Sequence, residues 1–433
     1  MIARLKEATK KALSLAPPQS ICQQWRSAIE NFPRYRSKHP PISLDLDSIS
    51  RHPFRRAGDR FRFLRQRSGI FLPPPTPEYA ARYKIWERPG LEYKTTLPKN
   101  LLGQKLNKNF FDYHPHFRSQ SSSILSIPNG TFHGQDHSIF DEHYRSVDWN
   151  APFWAAPFGL PATHFRKCLE RSRELKGAAL VISAPAAGSN NWHFLFDSLP
   201  KLKLIEEAGL SLNNFDHILV DSLRMPYACE AFKTLGIDAK KLIETENVPI
   251  VRAETLTYVT LGGLLPPDSW VLQWLRESLI QNKRPTVGHR KIFISRAGAT
   301  RRRLRAENEI CDRLRRHGFE VIAMEKLTLQ GQIKVISEAH AIVSSHGAGL
   351  ANLAWARPGA KVVELFAPEY MNVCYWNVAN MLSLNYAYAA GEPTIEKDLP
   401  YRAILDMERL EADIIIKDLT FLCDRILNFT SKP

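Results

Sequence analysis

Residues 339–366 read AHAIVSSHGAGLANLAWARPGAKVVELF, and the fold follows from how that stretch is parsed. The run Ala341-Ile342-Val343 has the β-branched, apolar character of a buried strand. It stops at Ser344-Ser345-His346-Gly347-Ala348-Gly349. A small-residue segment with helical spacing follows, Pro358-Gly359 turns the chain, and a second buried-type strand, Lys361-Val362-Val363, ends on Glu364. Short apolar runs punctuated by Gly and Pro, with a helix between them, describe a βαβ unit of a parallel sheet. Gly347 and Gly349 allow a tight turn and close backbone approach at the strand's carboxyl end. A helix beginning there directs free N–H groups and a partial positive charge into the crevice. Glu364, at the end of the next strand, is placed to accept hydrogen bonds from a ribose.

Outward from this unit the same alternation continues. Upstream, Lys291–Ser295 reads as a strand, 306–317 as a helix, 320–323 as a strand and 329–338 as a helix. Further back, 177–184, 217–220 and 257–261 read as strands, with helices over 187–209, 226–235 and 269–280. Residues 122–149 carry short strands split by Asn129-Gly130, a hairpin signal. The amphipathic segment 409–427 closes the chain. The predicted organisation is a basic, irregular Pro/Arg-rich extension over 1–121, an α/β acceptor-side domain over 122–282 and a Rossmann-like nucleotide-sugar-binding domain over 283–433. The polar stretch 282–285 is the predicted joint, and the two α/β halves are expected to face a cleft.

The chain of 433 residues has 59 Lys+Arg against 44 Asp+Glu, a net +15. The excess is local: residues 1–110 hold 22 Lys+Arg and 8 Asp+Glu, leaving 37 against 36 in the rest. Arg51–Arg56 and Arg60–Arg67 interleave bases with rings, a pattern that suits stacking on nucleic acid with Arg on phosphates. A basic extension that packs its Phe residues and solvates its Arg is the preferred reading, and nucleic acid is not an expected partner. The basic region is expected to favour an anionic membrane surface. Residues 1–16 are weakly amphipathic and lack the apolar core of a signal peptide. No run is long enough to span a bilayer. Six cysteines without CxxC spacing suggest reduced thiols, neither a disulfide framework nor a zinc site. The resulting expectation is a cytoplasmic protein, peripheral at most on the inner face of the cytoplasmic membrane.

Three constellations carry candidate chemistry. In Asn190-Asn191-Trp192-His193-Phe194-Leu195-Phe196-Asp197, a helix places Asn190, His193 and Asp197 on one face, and Leu195 with Leu199 toward the sheet. A carboxylate four residues from an imidazole can orient it as a general base. A capped helix start with a buried His satisfied by its Asp has the same spacing, and spacing alone does not choose. The second constellation is Ser295-Arg296 with Arg301-Arg302-Arg303-Leu304-Arg305 and Glu307-Asn308-Glu309. An Arg at a strand's carboxyl end can grip a diphosphate through its planar fork of donors, and Arg296 is the leading candidate. The third is His346-Gly347-Ala348-Gly349 with Glu364. The one DxD of the kind that bridges a metal to a diphosphate, Asp45-Leu46-Asp47, lies in the basic extension.

These blocks, in this order, resemble glycosyltransferase family 61. The residues that carry the likeness are Asn191-Trp192-His193-Phe194-Leu195-Phe196-Asp197-Ser198-Leu199-Pro200, Phe293-Ile294-Ser295-Arg296 with Arg302-Arg303 and Glu307-Asn308-Glu309, and His346-Gly347-Ala348-Gly349-Leu350 with Val362-Val363-Glu364. The resemblance spans residues 122–390 and leaves the first hundred unmatched. It implies a GT-B-like pair of Rossmann-like domains, transfer with inversion, and no required metal or cofactor. It further implies a nucleotide-sugar donor held by Arg296, Arg302, His346, Gly347, Ala348, Gly349 and Glu364. A glycan or lipid-linked acceptor would meet Asn190, Asn191, Trp192 and the catalytic pair His193 and Asp197. The absence of an anchor and the unpaired cysteines point toward a bacterial capsule or exopolysaccharide member. A nucleic-acid-binding protein on a Rossmann-like scaffold, and an epimerase or hydrolase using the same cleft, are the rival readings.

Overall fold

The structure is a computed structural model that describes residues 77–94, 96, 98–103, 116–119, 121–134, 137–149, 172–261, 267–281, 288–393 and 412–431. The basic stretches 1–16, 51–56 and 60–67, the connector 73–75, the pair Asp45 and Asp47, and the joint at 282–285 lie outside the described residues. So do Cys22 and Cys168; Cys229, Cys311, Cys374 and Cys423 are free thiols.

The chain divides into two compact units. The first draws on the chain up to Lys84, on 127–176 and on 248–256. Its strands Thr131–His133, Ser138–Phe140 and Ser146–Trp149 form an antiparallel meander, and Thr131–His133 also pairs with Ile250–Arg252. Phe132, Ile139, Phe140 and Val147 are wholly buried there. Asn129-Gly130 is a turn, with Asn129 at φ 48°, but not the hairpin that the sequence predicts. The segments before and after it do not pair with each other; both border the strand Ile250–Thr260. Asn129 donates to the Glu254 carbonyl, and Ala253 donates to that of Gly130. A Cβ on Gly130 would lie 2.8 Å from the Leu256 Cβ, so the missing side chain lets the two strands meet.

The second unit comprises 85–126, 177–247 and 257–433. Its elements alternate as the apolar pattern demands, with residues 173–176 of β1 and 250–256 of β4 falling to the first unit: β1 (Arg173–Val181), α1 (Lys201–Glu207), β2 (His217–Val220), α2 (Pro226–Thr234), β3 (Leu242–Glu244), β4 (Ile250–Thr260), α3 (Ser269–Leu279), β5 (Arg290–Ile294), α4 (Glu307–Arg315), β6 (Phe319–Ile322), α5 (Leu329–Ser337), β7 (Ala339–Ser345), β8 (Lys361–Phe366), α6 (Cys374–Met381), β9 (Asn385–Ala390) and α7 (Leu419–Ser431). One array runs β3-β2-β1-β4, with β1, β2 and β3 parallel. The other runs β6-β5-β7-β8-β9 and continues to Lys99–Asn100, parallel throughout.

Strand periodicity explains why the second array is covered on both faces. Ile292, Ile342 and Val362 enter one apolar cluster with α5, α6 and the helices around β1 and β2. Their neighbours Phe293, Val343 and Val363 enter another with α4 and α7. The protein is thus an α/β protein with Rossmann-like winding. The order of the second array fixes where a ligand belongs. From β5 the chain goes through α4 to β6 on one side, then through α5 to β7 on the other. The carboxyl ends of β5 and β7 therefore border the topological switch point, the crevice of such sheets.

Two predicted helices differ in detail. Residues 187–209 are not one helix: a turn leads to Asn191–His193 and a π-helical Phe194–Ser198, and after Pro200 the α-helix resumes as α1. A π-turn widens the helix, a feature concentrated at functional sites. The segment after Gly347 is a 3₁₀ helix, Ala348–Trp355. From Leu350 onward its residues are all buried, and the carbonyls of Ala354 and Ala356 accept from the Arg276 guanidinium at 2.8 Å. Helix α6 and strand β9 were not anticipated, because CYWNVANMLSLNYAYAA carries no Gly or Pro to separate them. Ile342 sits fully buried at the centre of the array. Ile342→Ala is expected to lower the unfolding free energy by about 2–5 kcal/mol. Urea denaturation measures it, and a change under about 1 kcal/mol would contradict this packing.

Candidate active site

The switch point presents Arg296 and His346 together. Register pairs Ile294 with Ser344 and Ser344 with Glu364, so the residues just past β5 and β7 emerge side by side. The Arg296 side chain crosses directly over Gly347: a Cβ there would lie 1.8 Å from Arg296 Nη1. Gly347 is extended, at φ 169°, so its requirement is space and not backbone conformation. Arg296 Nη2 donates to the Arg301 carbonyl at 3.1 Å. Its Nε is buried with no hydrogen-bond partner. Glu307, the nearest carboxylate in the sequence block, accepts from the Arg296 backbone N–H at 3.2 Å and from the Ser295 hydroxyl.

Arg302 converges on the same point. It occupies a left-handed conformation (φ 51°), reaches the His346 carbonyl at 3.5 Å and lies 4.9 Å over the Tyr370 ring. Its neighbours in sequence go elsewhere: Arg303 and Arg305 pair with Asp413 at 3.1 and 2.8 Å, fixing the returning chain beside Leu304. Burial, and then the charge of Arg302, pull the Arg296 guanidinium below its ordinary pKa. Two guanidiniums near one another in this way are chemically suited to an anion.

His346 is buried. Its Nδ1 bonds Glu364 Oε1 at 2.5 Å, and Tyr386 donates to Glu364 Oε2 at 2.5 Å. Burial, then Arg302 and Arg296, hold the imidazole well below its ordinary pKa; burial holds the Glu364 carboxyl well above its own. The amides at the first turn of the helix Ala348–Trp355, Ala348 and Gly349, have no acceptor within that helix.

The constellation at 190–197 comes to the same place. Tyr375, in α6, packs its ring 5.2 Å from His346 on one side and 5.2 Å from Trp192 on the other. Asn190 caps the helix, its side chain accepting from the Trp192 N–H at 2.9 Å. His193 Nδ1 bonds Asp197 Oδ2 at 2.6 Å. Burial raises the Asp197 pKa, against the opposing pull of His193 and then Lys201. The preceding turn holds Ala186 at φ 66° and is tied down by Asp221, which accepts from the Ser183 hydroxyl and, at 3.2 Å, from the Gly188 N–H.

Asn191 Oδ1, Trp192 Nε1, Ser345 Oγ and Arg296 Nε are buried polar atoms with no partner. Such atoms are rare in folded proteins and require a reason. At Arg296, whose Nε is one of these atoms and which lies over Gly347 near Arg302, a polar, anionic group would supply the missing partner. Among the described residues no group of three or more His, Cys, Asp or Glu gathers at one point, and no helix is long and apolar enough to cross a membrane.

The fold is α/β, and it sets Arg296 and Arg302 near the switch point of its parallel sheet. Residues 192–363 match the family described as Glycosyltransferase 61, so that stretch of the chain is similar to a glycosyltransferase domain. The matched stretch begins at Trp192 and contains His193, Asp197, Arg296, Arg302 and His346–Gly349. A comparison with curated proteins returns no match.

Sequence reasoning missed Tyr375, Tyr386, Tyr370 and Lys201. The tyrosines sit among other aromatics and read as core. Lys201 is fully buried four residues after Asp197, with Nζ 2.5 Å from the Ser183 carbonyl. Its spacing from His193 and Asp197, on one helical stripe, was the available signal.

Gly347→Ala is expected to push the Arg296 guanidinium aside, since a flexible side chain yields before a strand does. A crystal structure of the variant would show Arg296 moved and β7 in place; the reverse would contradict the packing. Glu364 supplies a second test. A carboxyl with a raised folded pKa contributes stability that is complete below its unfolded value, about 4.3, and is lost as pH rises through the folded one. Glu364→Gln cannot ionise, so its unfolding free energy relative to the unsubstituted protein should climb from about pH 5 to pH 8. Parallel pH profiles in urea denaturation would contradict the assignment.

Proposed function

We propose that this protein is a glycosyltransferase that moves a sugar from a nucleotide-sugar donor to a hydroxyl of a glycan or lipid-linked acceptor, with inversion and without a divalent ion. The observation that carries the reading is the Arg296 guanidinium lying over Gly347, its Nε buried and unpartnered beside Arg302. A departing nucleoside diphosphate develops the charge that such a pair stabilises, and preorganised electrostatics of this kind is commonly the largest catalytic contribution. His346 and the amides of Gly347, Ala348 and Gly349 complete the donor side.

On the acceptor side His193 is the base, oriented through Nδ1 by Asp197. Its Nε2 takes the acceptor hydroxyl proton as the oxygen bonds the anomeric carbon. The bond from that carbon to the diphosphate oxygen breaks, and its electron pair leaves with the phosphate. Asn191 Oδ1 and Trp192 Nε1 supply an acceptor and a donor for sugar hydroxyls. In this reading the two parallel arrays act as a GT-B-like pair. The protein works on the cytoplasmic side in the assembly of bacterial surface polysaccharide, its basic amino-terminal region near an anionic membrane.

The nucleic-acid alternative rests on residues 51–67, outside the described residues, and no described feature favours it.

Thermal-shift measurements with the diphosphates of uridine, guanosine, cytidine and adenosine test the donor side, because a ligand of the native state alone raises its melting temperature. At least one is expected to stabilise the protein with EDTA present. Arg296→Ala is expected to fold normally, lose that stabilisation and lower turnover by about two to three decades. Near-native turnover would remove Arg296 from the mechanism, and activity abolished by EDTA and restored by manganese would remove the metal-free reading.

A further inference from the structure

Glu364 stands where a nucleotide-binding sheet often holds a ribose, yet its surroundings assign it other work. In β8 it is paired with Ser344 on one side and Tyr388 on the other, inside the strand and not at its tip. Its side chain is wholly buried (0 % exposed). A carboxylate that grips a ribose diol must offer its oxygens to the crevice. Here Oε1 is bound to His346 Nδ1 and Oε2 accepts from the Tyr386 hydroxyl, both at 2.5 Å.

What the pair offers instead is a fixed imidazole. Phe366 stacks on His346 at 5.3 Å and 23°, while Tyr370 and Tyr375 close on it from other directions. Among the described residues the only hydrogen bond of the ring is the one to Glu364. One proton lies between Oε1 and Nδ1. Whichever atom holds it, Nε2 carries a hydrogen as long as the pair has no net charge. The opposite corner of the ring is then a donor. Arg302 reaches the His346 carbonyl and Arg296 lies over the adjoining Gly347, so Nε2–H can add a third donor for the same anion without adding a third charge.

We propose that Glu364 is a positioning residue: with Tyr386 it holds His346 so that Nε2–H serves the diphosphate beside Arg296 and Arg302, and it does not contact the ribose. This rests on the donor-site reading above and assigns Glu364 and Tyr386 a role at the phosphate end of that site.

Inorganic pyrophosphate separates the two roles, since it has phosphates and no ribose. Its binding to the full chain is measured by calorimetry, beside that of the diphosphate that stabilises best and of the corresponding nucleoside. Glu364→Met is expected to weaken pyrophosphate about tenfold and leave the nucleoside unchanged. Glu364→Gln can accept from Tyr386 and donate to Nδ1, and is expected to stay within about threefold of the unsubstituted protein. If Glu364→Met fails to fold, Tyr386→Phe is the probe, expected to weaken pyrophosphate about threefold and spare the nucleoside. A folded variant that binds pyrophosphate normally, or that loses nucleoside and pyrophosphate alike, overturns the proposal. Failure of the unsubstituted protein to bind pyrophosphate and all four diphosphates overturns instead the donor-site reading on which it rests.

Discussion

Two guanidiniums, Arg296 and Arg302, are held close together at the end of a buried parallel sheet. Charge of one sign gathered where water is scarce costs free energy, and here burial first and the neighbouring guanidinium charge second lower the pKa of both Arg296 and His346. The fold supports that cost by distributing it. Glu307 fixes the Arg296 backbone and not its head. Asp413 draws off Arg303 and Arg305. The carboxyl nearest His346 is Glu364, buried and held well above its ordinary pKa. What remains there is positive charge and N–H groups, the chemistry on which the proposed donor site rests.

The remaining architecture can be understood from that constraint. The strand order reverses between β5 and β7, which brings Arg296 and His346 out side by side. Gly347 gives the guanidinium its path, and the buried 3₁₀ helix behind it fixes the loop. On the other array, the π-turn at Phe194–Ser198 and the strained Ala186 hold Asn191, Trp192 and His193 in place. Tyr375 packs between Trp192 and His346, so the two groups of polar atoms share one aromatic partition. Catalysis by charge stabilisation needs such rigidity, because the donors must be in place before charge develops.

Much of this was legible in the sequence. β-branched runs ending in Gly or Pro gave the parallel strands, and position at strand ends singled out Arg296 and His346. The i,i+4 spacing of His193 and Asp197 foretold their hydrogen bond. Less was legible where tertiary contacts decide. Glu364 appeared to end its strand, but β9 continues beside it and buries it. The Asn129-Gly130 pair suggested a hairpin, yet pairing with Ile250–Thr260 directs both flanking segments. Tyr375, Tyr386 and Lys201 have no local signature, since an aromatic in a helix and a lysine after Pro200 look ordinary until their neighbours are known. Within the arginine block, spacing could not tell Arg302 from Arg303; only the distant Asp413 does.

A crystal structure of the protein with a stabilising nucleoside diphosphate bound tests the central claim most directly. The account predicts phosphate oxygens within hydrogen-bonding distance of Arg296 Nε and of the amides of residues 347–349, with Arg302 on the same phosphates. A diphosphate bound elsewhere, with Arg296 Nε still unpartnered over Gly347, would contradict it.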